Sequence, residues 1–318
     1  IAAMRQKADG KEINRAWQEV YRWFALQESW RNKCDSVKEA FGYRNLVAPV
    51  SKERILKLLG SPARSSVSRL EKYTNCPFAY FVQYGLGAKE RKVYSFSPPD
   101  VGTFMHAVIE QFSGHLAEKD MSWREIDREW CSRAVSEIID AMLEKMQGSG
   151  LGSSRRYAAL AVRLKRVIVR AVWLICEHIR RSSFNPVGYE MDFGEGGKFP
   201  PITIGLGSGE QVQLTGRIDR VDALKTEQGT YLRIVDYKSG NKAFKLSDVY
   251  YGLQLQLITY LDALWENGGM DIVPPVLPGG VLYFHIDDPI VKGSGRVSEE
   301  EIEKAIMKQL KMKGLLLA

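Results

Sequence analysis

Gly216-Arg217-Ile218-Asp219-Arg220-Val221-Asp222 and Ile234-Val235-Asp236-Tyr237-Lys238-Ser239-Gly240 are the stretches whose reading decides the fold. Each places apolar or β-branched residues around an acidic position, the pattern of a strand. Paired as a hairpin, with about ten residues of turn material between them, they bring Asp219 and Asp236 to the same end of one sheet. Lys238 lies two residues beyond Asp236, so strand periodicity points it to the same face. Two carboxylates and a lysine converging there make a hard-cation site with a positive side chain beside it. Metal-dependent phosphodiester hydrolysis needs such an arrangement: oxygen ligands for Mg²⁺, and a cation near the attacking water or the scissile phosphate.

The chain has 318 residues, of which 45% are hydrophobic, enough for at least one large core. It begins at Ile1 and ends in Leu315-Leu316-Leu317-Ala318, so a piece of a longer protein is expected. No apolar run is long enough to cross a membrane and no signal peptide is legible, which predicts a soluble protein without a membrane partner. Four cysteines, at 34, 76, 131 and 176, have neither disulfide-framework nor local zinc spacing. A reducing, cytoplasmic setting fits them. The net charge of +7 suits a polyanionic partner such as DNA.

Residues 11–41 carry Ile13, Trp17, Val20, Tyr21 and Phe24 at helical spacing, which predicts a helix whose aromatic stripe is core or an interdomain contact. Residues 1–62 are read as a helical segment, with a boundary at Ser61-Pro62. Residues 63–318 are read as one α/β module: a helical part to about 184, a sheet core over about 185–290, and a closing helix at about 298–313. Within it, helices are predicted from Ser66 to Tyr73, around His106 with Asp100 as a candidate cap, and at 122–147 and 154–183, the last two separated by the Gly/Ser-rich 148–154. Strands are predicted at 187–193, 211–223, 230–238 and 279–286, and a helix at 248–266. No Gly-x4-Gly-Lys-Ser/Thr loop is present, so ATP hydrolysis is not expected of this sequence.

Each candidate residue has a plainer reading beside the chemical one. Asp219 is a metal ligand, or it pairs with Arg217 or Arg220. Asp236 is a ligand or a turn cap, and Lys238 assists the water or is an exposed strand-end lysine. His106 is a ligand or a structural histidine, with Glu110 one turn on as its orienting partner or merely solvated. Glu190 completes the acidic cluster or lies at the surface. Gln256 and Tyr260, one helical turn apart, present an amide and a hydroxyl to a phosphate backbone, or pack together. Arg156, Arg163, Arg166 and Arg170 form a stripe on helix 154–183 that tracks phosphates or is a solvated face.

The order of helix-borne His106, strand-borne Glu190, Gly216-Arg-Ile-Asp219-Arg-Val-Asp222, Asp236-Tyr-Lys238-Ser-Gly and Gln256-Leu-Ile-Thr-Tyr260 resembles the RecB-like branch of the PD-(D/E)xK nucleases. Ser66-Val-Ser-Arg-Leu-Glu-Lys-Tyr-Thr-Asn-Cys76-Pro-Phe-Ala-Tyr-Phe, the run Tyr250-Tyr-Gly-Leu-Gln-Leu-Gln-Leu-Ile-Thr-Tyr-Leu and Met312-Lys-Gly-Leu extend the likeness to AddB-type modules of bacterial helicase–nucleases. It covers roughly residue 66 to the end. The resemblance implies a restriction-endonuclease-like mixed sheet flanked by helices. It also implies Mg²⁺, or Mn²⁺, held by His106, Asp219, Asp236 and the Tyr237 carbonyl, with Lys238 assisting the water. Gln256 and Tyr260 match the family's Gln-x3-Tyr motif. The whole enzymes process double-strand breaks with an AddA-like helicase–nuclease subunit, cutting the single strands that unwinding exposes. They carry a 4Fe-4S cluster on a cysteine equivalent to Cys76 and three further cysteines that have no counterpart in this sequence, so Cys76 is expected to be a free thiol here. The competing expectations are a catalytically silent DNA-binding scaffold and a stand-alone Cas4-like nuclease.

Overall fold

The computed structural model describes residues 15–42, 50–60, 62–89, 98–146, 155–207, 209–240, 243–267, 274–291 and 297–316. The chain divides into two compact units, residues 1–55 and 56–318. In the first, the stretch expected to be helical forms two helices, α1 (Arg15–Leu26) and α2 (Glu28–Gly42). The aromatic stripe is not core within this unit: Trp17 and Trp23 are exposed, Tyr21 and Phe24 half-buried, and no α1 residue is buried. Phe24 instead makes edge contacts with Trp23 and Trp30. Ile13 lies outside the described residues. A short helix, α3 (Lys52–Leu59), follows.

The second unit is built on a seven-stranded mixed sheet: β1 (Ala63–Ser66), β2 (Asn185–Phe193), β3 (Ile202–Gly205), β4 (Gln211–Thr226), β5 (Gly229–Lys238), β6 (Val276–His285) and β7 (Lys313–Leu316). β4 is the organising strand. Its first half pairs parallel with β1 and antiparallel with β3, its second half antiparallel with β2 and β5. β5 pairs parallel with β6, and β6 antiparallel with β7. The turn between β4 and β5 is shorter than expected, because both strands run on to Thr226 and Gly229.

Both faces of the sheet are covered, which is why its central strands carry long apolar runs. Val235, Tyr237, Leu282 and Phe284 face a core made with α6 (Pro98–Glu118), α7 (Arg128–Met146) and α8 (Arg155–Arg180). In α8, Ile168, Val172, Ile175 and Ile179 repeat at i, i+4, i+7 and i+11 and are all fully buried. The alternate residues Leu232, Ile234, Val281 and Tyr283 face Leu257, Tyr260, Ala263 and Leu264 of α10 (Gln256–Asn267).

Several predicted boundaries move. Helix 122–147 starts only at Arg128, where Asp127 accepts the Trp130 amide at 2.8 Å and caps it. Asp100 is not a cap, since α6 already begins at Pro98. The predicted helix 248–266 is broken: α9 (Leu246–Tyr250) ends in a turn before α10. The closing helix, α11 (Glu299–Gln309), carries a Ser298/Glu301 capping box but stops before 313, where β7 begins. The Gly/Ser-rich 148–154, the prolines' lead-in Ser95–Ser97 and Ser61 lie outside the described residues. Between β1 and α6 run α4 (Val67–Asn75) and α5 (Pro77–Tyr80), the latter continuing as a π-helical turn to Gly85.

Inside the helix-facing layer sits a buried ionic cluster. Asp222, with no exposure, pairs with Arg220 at 2.9 Å and with Arg233 at 2.7 Å. Removing a partner from such a cluster strands a charge in a dry interior and costs roughly 3–5 kcal/mol, whereas an exposed pair contributes about 0–1 kcal/mol. Asp222→Ala is therefore expected to lower the denaturant midpoint by several kcal/mol equivalents of stability. Asp140→Ala, which breaks the surface pair with Lys165 at 2.7 Å, should leave the midpoint almost unchanged. Equal effects in a chemical denaturation series would contradict this account.

Candidate metal centre

The centre forms where β2, β4, β5 and α6 meet. Antiparallel pairing of Arg220 with Val235 puts Asp219 and Asp236 in the next register position of the hairpin. On the other side, Tyr189 pairs with Arg220 and Met191 with Ile218, so Glu190 falls opposite Asp219. Three acids thus lie in one row across three strands. Glu190 adopts φ +42°, a left-handed backbone uncommon for a residue with a Cβ. Such a conformation costs on the order of 1–3 kcal/mol and persists where the surroundings enforce it, often at functional sites.

Along β4 the alternation breaks at this row. Leu214 and Ile218 belong to the α10-facing core, but so do Val221 and Ala223, whose parity is opposite. Asp219 sits at the switch and is nearly buried. Its Oδ2 accepts the Tyr237 amide hydrogen at 2.7 Å, which fixes the carboxylate, while Oδ1 lies 3.6 Å from His106 Nδ1.

His106 reaches in from α6. Its Nδ1 is 3.2 Å from Glu190 Oε1 and its Nε2 is 3.2 Å from the Tyr237 carbonyl oxygen. Both ring nitrogens face acceptors, an arrangement that suits an imidazolium donating at each. Burial opposes that charge, but the Glu190 hydrogen bond and the negative Asp219, Glu190 and Asp236 outweigh it and raise the His106 pKa. Asp219 is pushed up to about 7, first by burial and then by the neighbouring Asp236, against the pull of His106, the Tyr237 amide and Lys238. Glu110 is exposed, and the imidazole's carboxylate partner is Glu190.

Donor atoms of His106, Glu190 and Asp219 lie within 4.8 Å of one another. Asp236 is paired with Lys238 at 2.5 Å, and Lys238 Nζ also donates to Gln256 Oε1 at 3.3 Å. Gln256 Nε2 in turn donates to the Tyr260 hydroxyl at 3.1 Å. Tyr260 is seated by an edge contact with Phe193, and both rings lie over Gly216, where a Cβ would stand 2.7 Å from Phe193 and 3.2 Å from Tyr260. The glycine that opens the Gly216-Arg-Ile-Asp219 stretch is there because these rings leave no room for a side chain.

The donor set fits a hard divalent cation. It offers carboxylate oxygens, a main-chain carbonyl and one imidazole, with no thiolate. The raised Asp219 pKa points the same way: a carboxylate whose charge is opposed by burial and by a neighbouring acid lacks positive charge, which an ion would supply.

Arg163, Arg166 and Arg170 converge instead on Asp288. Arg163 lies 3.8 Å and Arg170 2.9 Å from it, and Arg166 bonds to it directly. Burial works against the Asp288 charge, but the Arg166 and Arg170 bonds hold its carboxyl below the usual range. Cys76 is half-buried at the start of α5, its Sγ accepting the Ala79 amide at 3.5 Å. Cys34, Cys131 and Cys176 lie in α2, α7 and α8, and among the described residues none joins Cys76 in a potential metal-binding group. Two contributors had no role in the sequence reading. Arg217, noted only as a possible partner of Asp219, grips Asp192 with two bonds of 2.7 and 2.9 Å and lies 3.8 Å from Glu190. Glu71 accepts the amides of Leu255 and Gln256. Neither contact has a local spacing signature, since each joins distant parts of the chain.

A mixed sheet with an acid row across three strands, a lysine two residues past the last acid and a helix-borne histidine defines a class of nucleic-acid-cutting folds. The family model described as the PD-(D/E)XK nuclease superfamily matches residues 64–313, and the chain belongs to that superfamily. A second family model, the fifth domain of the ATP-dependent helicase/deoxyribonuclease AddB, matches residues 1–40. Relatives named as the B-type subunits of ATP-dependent helicase/deoxyribonucleases are similar over the whole chain: 72% identical in Acetivibrio thermocellus, 62% in Ruminiclostridium cellulolyticum and 50% in Clostridium acetobutylicum. The likeness to AddB-type modules thus holds. The chain spans 28% of the length of each of these relatives. Among the described residues no helix is long and apolar enough to cross a membrane.

The raised Asp219 pKa means that the folded centre binds more protons than the unfolded chain between about pH 4 and 7, and the raised His106 pKa acts in the same direction above 6.5, so stability in chelator should fall as pH rises through that window. Ligation requires the deprotonated forms, so cation and protons compete. The increase in melting temperature on adding Mg²⁺ or Mn²⁺ is expected to be larger at pH 8 than at pH 6 and to vanish in Asp219→Ala. A shift independent of pH, or one retained by that variant, would place the ion elsewhere.

Proposed function

We propose that this chain is the Mg²⁺-dependent deoxyribonuclease module of a bacterial cytoplasmic helicase–nuclease that processes double-strand breaks for recombinational repair. Its substrate is DNA, cut on the single strands that unwinding exposes, and its partner is an AddA-like helicase–nuclease subunit. The observation that carries this reading is the gathering of His106, Glu190 and Asp219 beside the Asp236–Lys238 pair.

In this reading His106, Asp219, Asp236 and the Tyr237 carbonyl hold the cation, with Glu190 completing the acidic cluster. A bound Mg²⁺ supplies Lewis-acid chemistry, neutralising charge on the scissile phosphate and acidifying the attacking water. The residues do the rest. The Tyr237 amide locks one Asp219 oxygen, so the carboxylate needs no reorganisation when the substrate arrives. Glu190 orients the His106 ring from the side opposite the Tyr237 carbonyl. Lys238 is held by Asp236 and Gln256 with its ammonium facing the acid row, where it orients the water and offsets the charge that builds on the phosphate as the P–O bond breaks. Gln256, its Nε2 bonded to the hydroxyl of the buried Tyr260, presents its amide to the DNA backbone, and Tyr260 holds it in place from the core.

The test is digestion of end-labelled single-stranded DNA by the intact protein, with and without EDTA. Cleavage is expected to need the metal, to disappear in Asp219→Ala, and to slow by roughly 10²–10³-fold in Lys238→Ala, the usual effect of losing one electrostatic contact to a transition state. DNA binding without any cleavage sensitive to these substitutions would favour a silent scaffold instead.

A further inference from the structure

Glu71 stands outside the centre, in the stretch that also bears Cys76, yet it touches the helix that carries Gln256. Its Oε1 accepts the amide hydrogens of Leu255 at 2.8 Å and Gln256 at 3.0 Å. These are the orphan donors of α10, whose first internal bond runs from the Thr259 amide to the Leu255 carbonyl. A carboxylate at that end also meets the positive pole of the helix dipole.

The element carrying Glu71 is itself tied to the strand carrying Asp219. Ser66 ends β1 in register with Thr215 of β4, and its hydroxyl accepts the Arg69 amide at 3.3 Å to cap α4. Val67 is buried in the same core as Ile218 and Tyr260. Farther along α4, Thr74 lies against Gly252, in the turn that precedes α10; a Cβ on that glycine would meet its side chain at 3.4 Å. A closed circuit results: β4 with Asp219, then β1 and α4, then Glu71, then α10 with Gln256, then Lys238 and Asp236 of β5.

Resting on the nuclease reading above, we propose that Glu71 is a positioning residue that seats the N-terminus of α10 and so holds Gln256, and through it Lys238, in register with the acid row. Glutamate suits the task better than a local Ser or Asp cap, because it reaches from another element and fixes the helix in translation as well as at its end. Replacement by glutamine keeps an oxygen that accepts both amides; replacement by alanine keeps none.

The experiment follows cleavage by the intact protein, scoring only products that Asp219→Ala abolishes, for Glu71→Ala, Glu71→Gln, Gln256→Ala and the Glu71→Ala/Gln256→Ala double variant. Misplacement by a fraction of an ångström lowers turnover sharply. Glu71→Ala is expected to lose roughly ten- to hundredfold in kcat with KM rising no more than in Gln256→Ala, and Glu71→Gln to recover to within about threefold of wild type. If Glu71 acts through Gln256, adding Glu71→Ala to Gln256→Ala costs nothing further. Hydrogen exchange over residues 250–262 should quicken at the Leu255 and Gln256 amides in both variants that carry Glu71→Ala, and not in Glu71→Gln or in Gln256→Ala by itself. Wild-type kcat in Glu71→Ala, additive losses in the double variant, or unchanged exchange would each overturn the proposal. If wild type gives no cleavage that Asp219→Ala removes, the nuclease reading fails and the positioning role with it. The exchange data then show separately whether Glu71 seats the helix.

Discussion

The hydrogen bond from the Tyr237 amide to the Asp219 carboxylate is the constraint on which the rest of the centre depends. It crosses from the middle of β4 to the end of β5 at the row where the alternation of β4 breaks. A charge-assisted bond of this kind contributes about 1.5–3 kcal/mol, less than the several kcal/mol that burying a carboxylate costs. The remainder has to come from positive charge. His106 and Lys238 supply part of it, and the rise of the Asp219 pKa to about 7 measures the shortfall. The carbonyl of the same residue faces His106 Nε2, so the two backbone groups of Tyr237 hold two ligand candidates, Asp219 and His106.

Charge is sorted by the two faces of the sheet. On the side facing α6, α7 and α8, Arg220 and Arg233 bracket Asp222 with no solvent contact to speak of, and the Tyr237 hydroxyl accepts from Arg220 at 3.4 Å. The excess positive charge of that cluster is felt at its surroundings: burial and then Arg220 lower the pKa of His178 to about 4, whereas that of His106 is raised. The two histidines come from helices of one layer and shift in opposite directions because one faces arginines and the other faces acids. The hairpin therefore carries an ionic core of net positive charge on one side and an acid-rich, cation-seeking row at its end, and Tyr237 separates them.

Much of this was legible in the sequence. The acidic positions of the two quoted strands, the lysine two residues on and the helix carrying His106 all follow from period-2 and period-3.6 patterning, and the structure brings them together. What escaped was of two kinds. β1, β3 and β7 each have only four residues, too few for a periodic signal, and form because a longer neighbour presents free backbone groups. The partners of the long cations also escaped. The arginine stripe on α8 shows correct helical spacing, but spacing cannot reveal that Asp288, more than a hundred residues later, draws three of those guanidiniums together. Glu190 was visible as an acid in a strand; its left-handed backbone, which sets where the carboxylate goes, was not.

The misread helix at 248–266 shows why local patterning fails where the centre is assembled. Apolar spacing supports one continuous helix through that region. Had it formed, the Gln256 amide would be bonded within the helix, and Glu71 would have no donor to accept. The turn after Tyr250 ends α9 through backbone bonds from Leu253 and Gln254 to the Asp248 carbonyl, and the Gln254 side chain bridges Lys245 and Ala243 behind it. These bonds replace the helical ones nearly one for one, so the break is cheap locally. What tips the balance is non-local: breaking the helix frees two amides at the place where a carboxylate from α4 waits for them. A helix start defined by another element's side chain is fixed relative to that element, and α4 is anchored to the strand of Asp219. Continuity would have favoured the helix; interruption favours the alignment of Gln256 and Lys238 with the acid row.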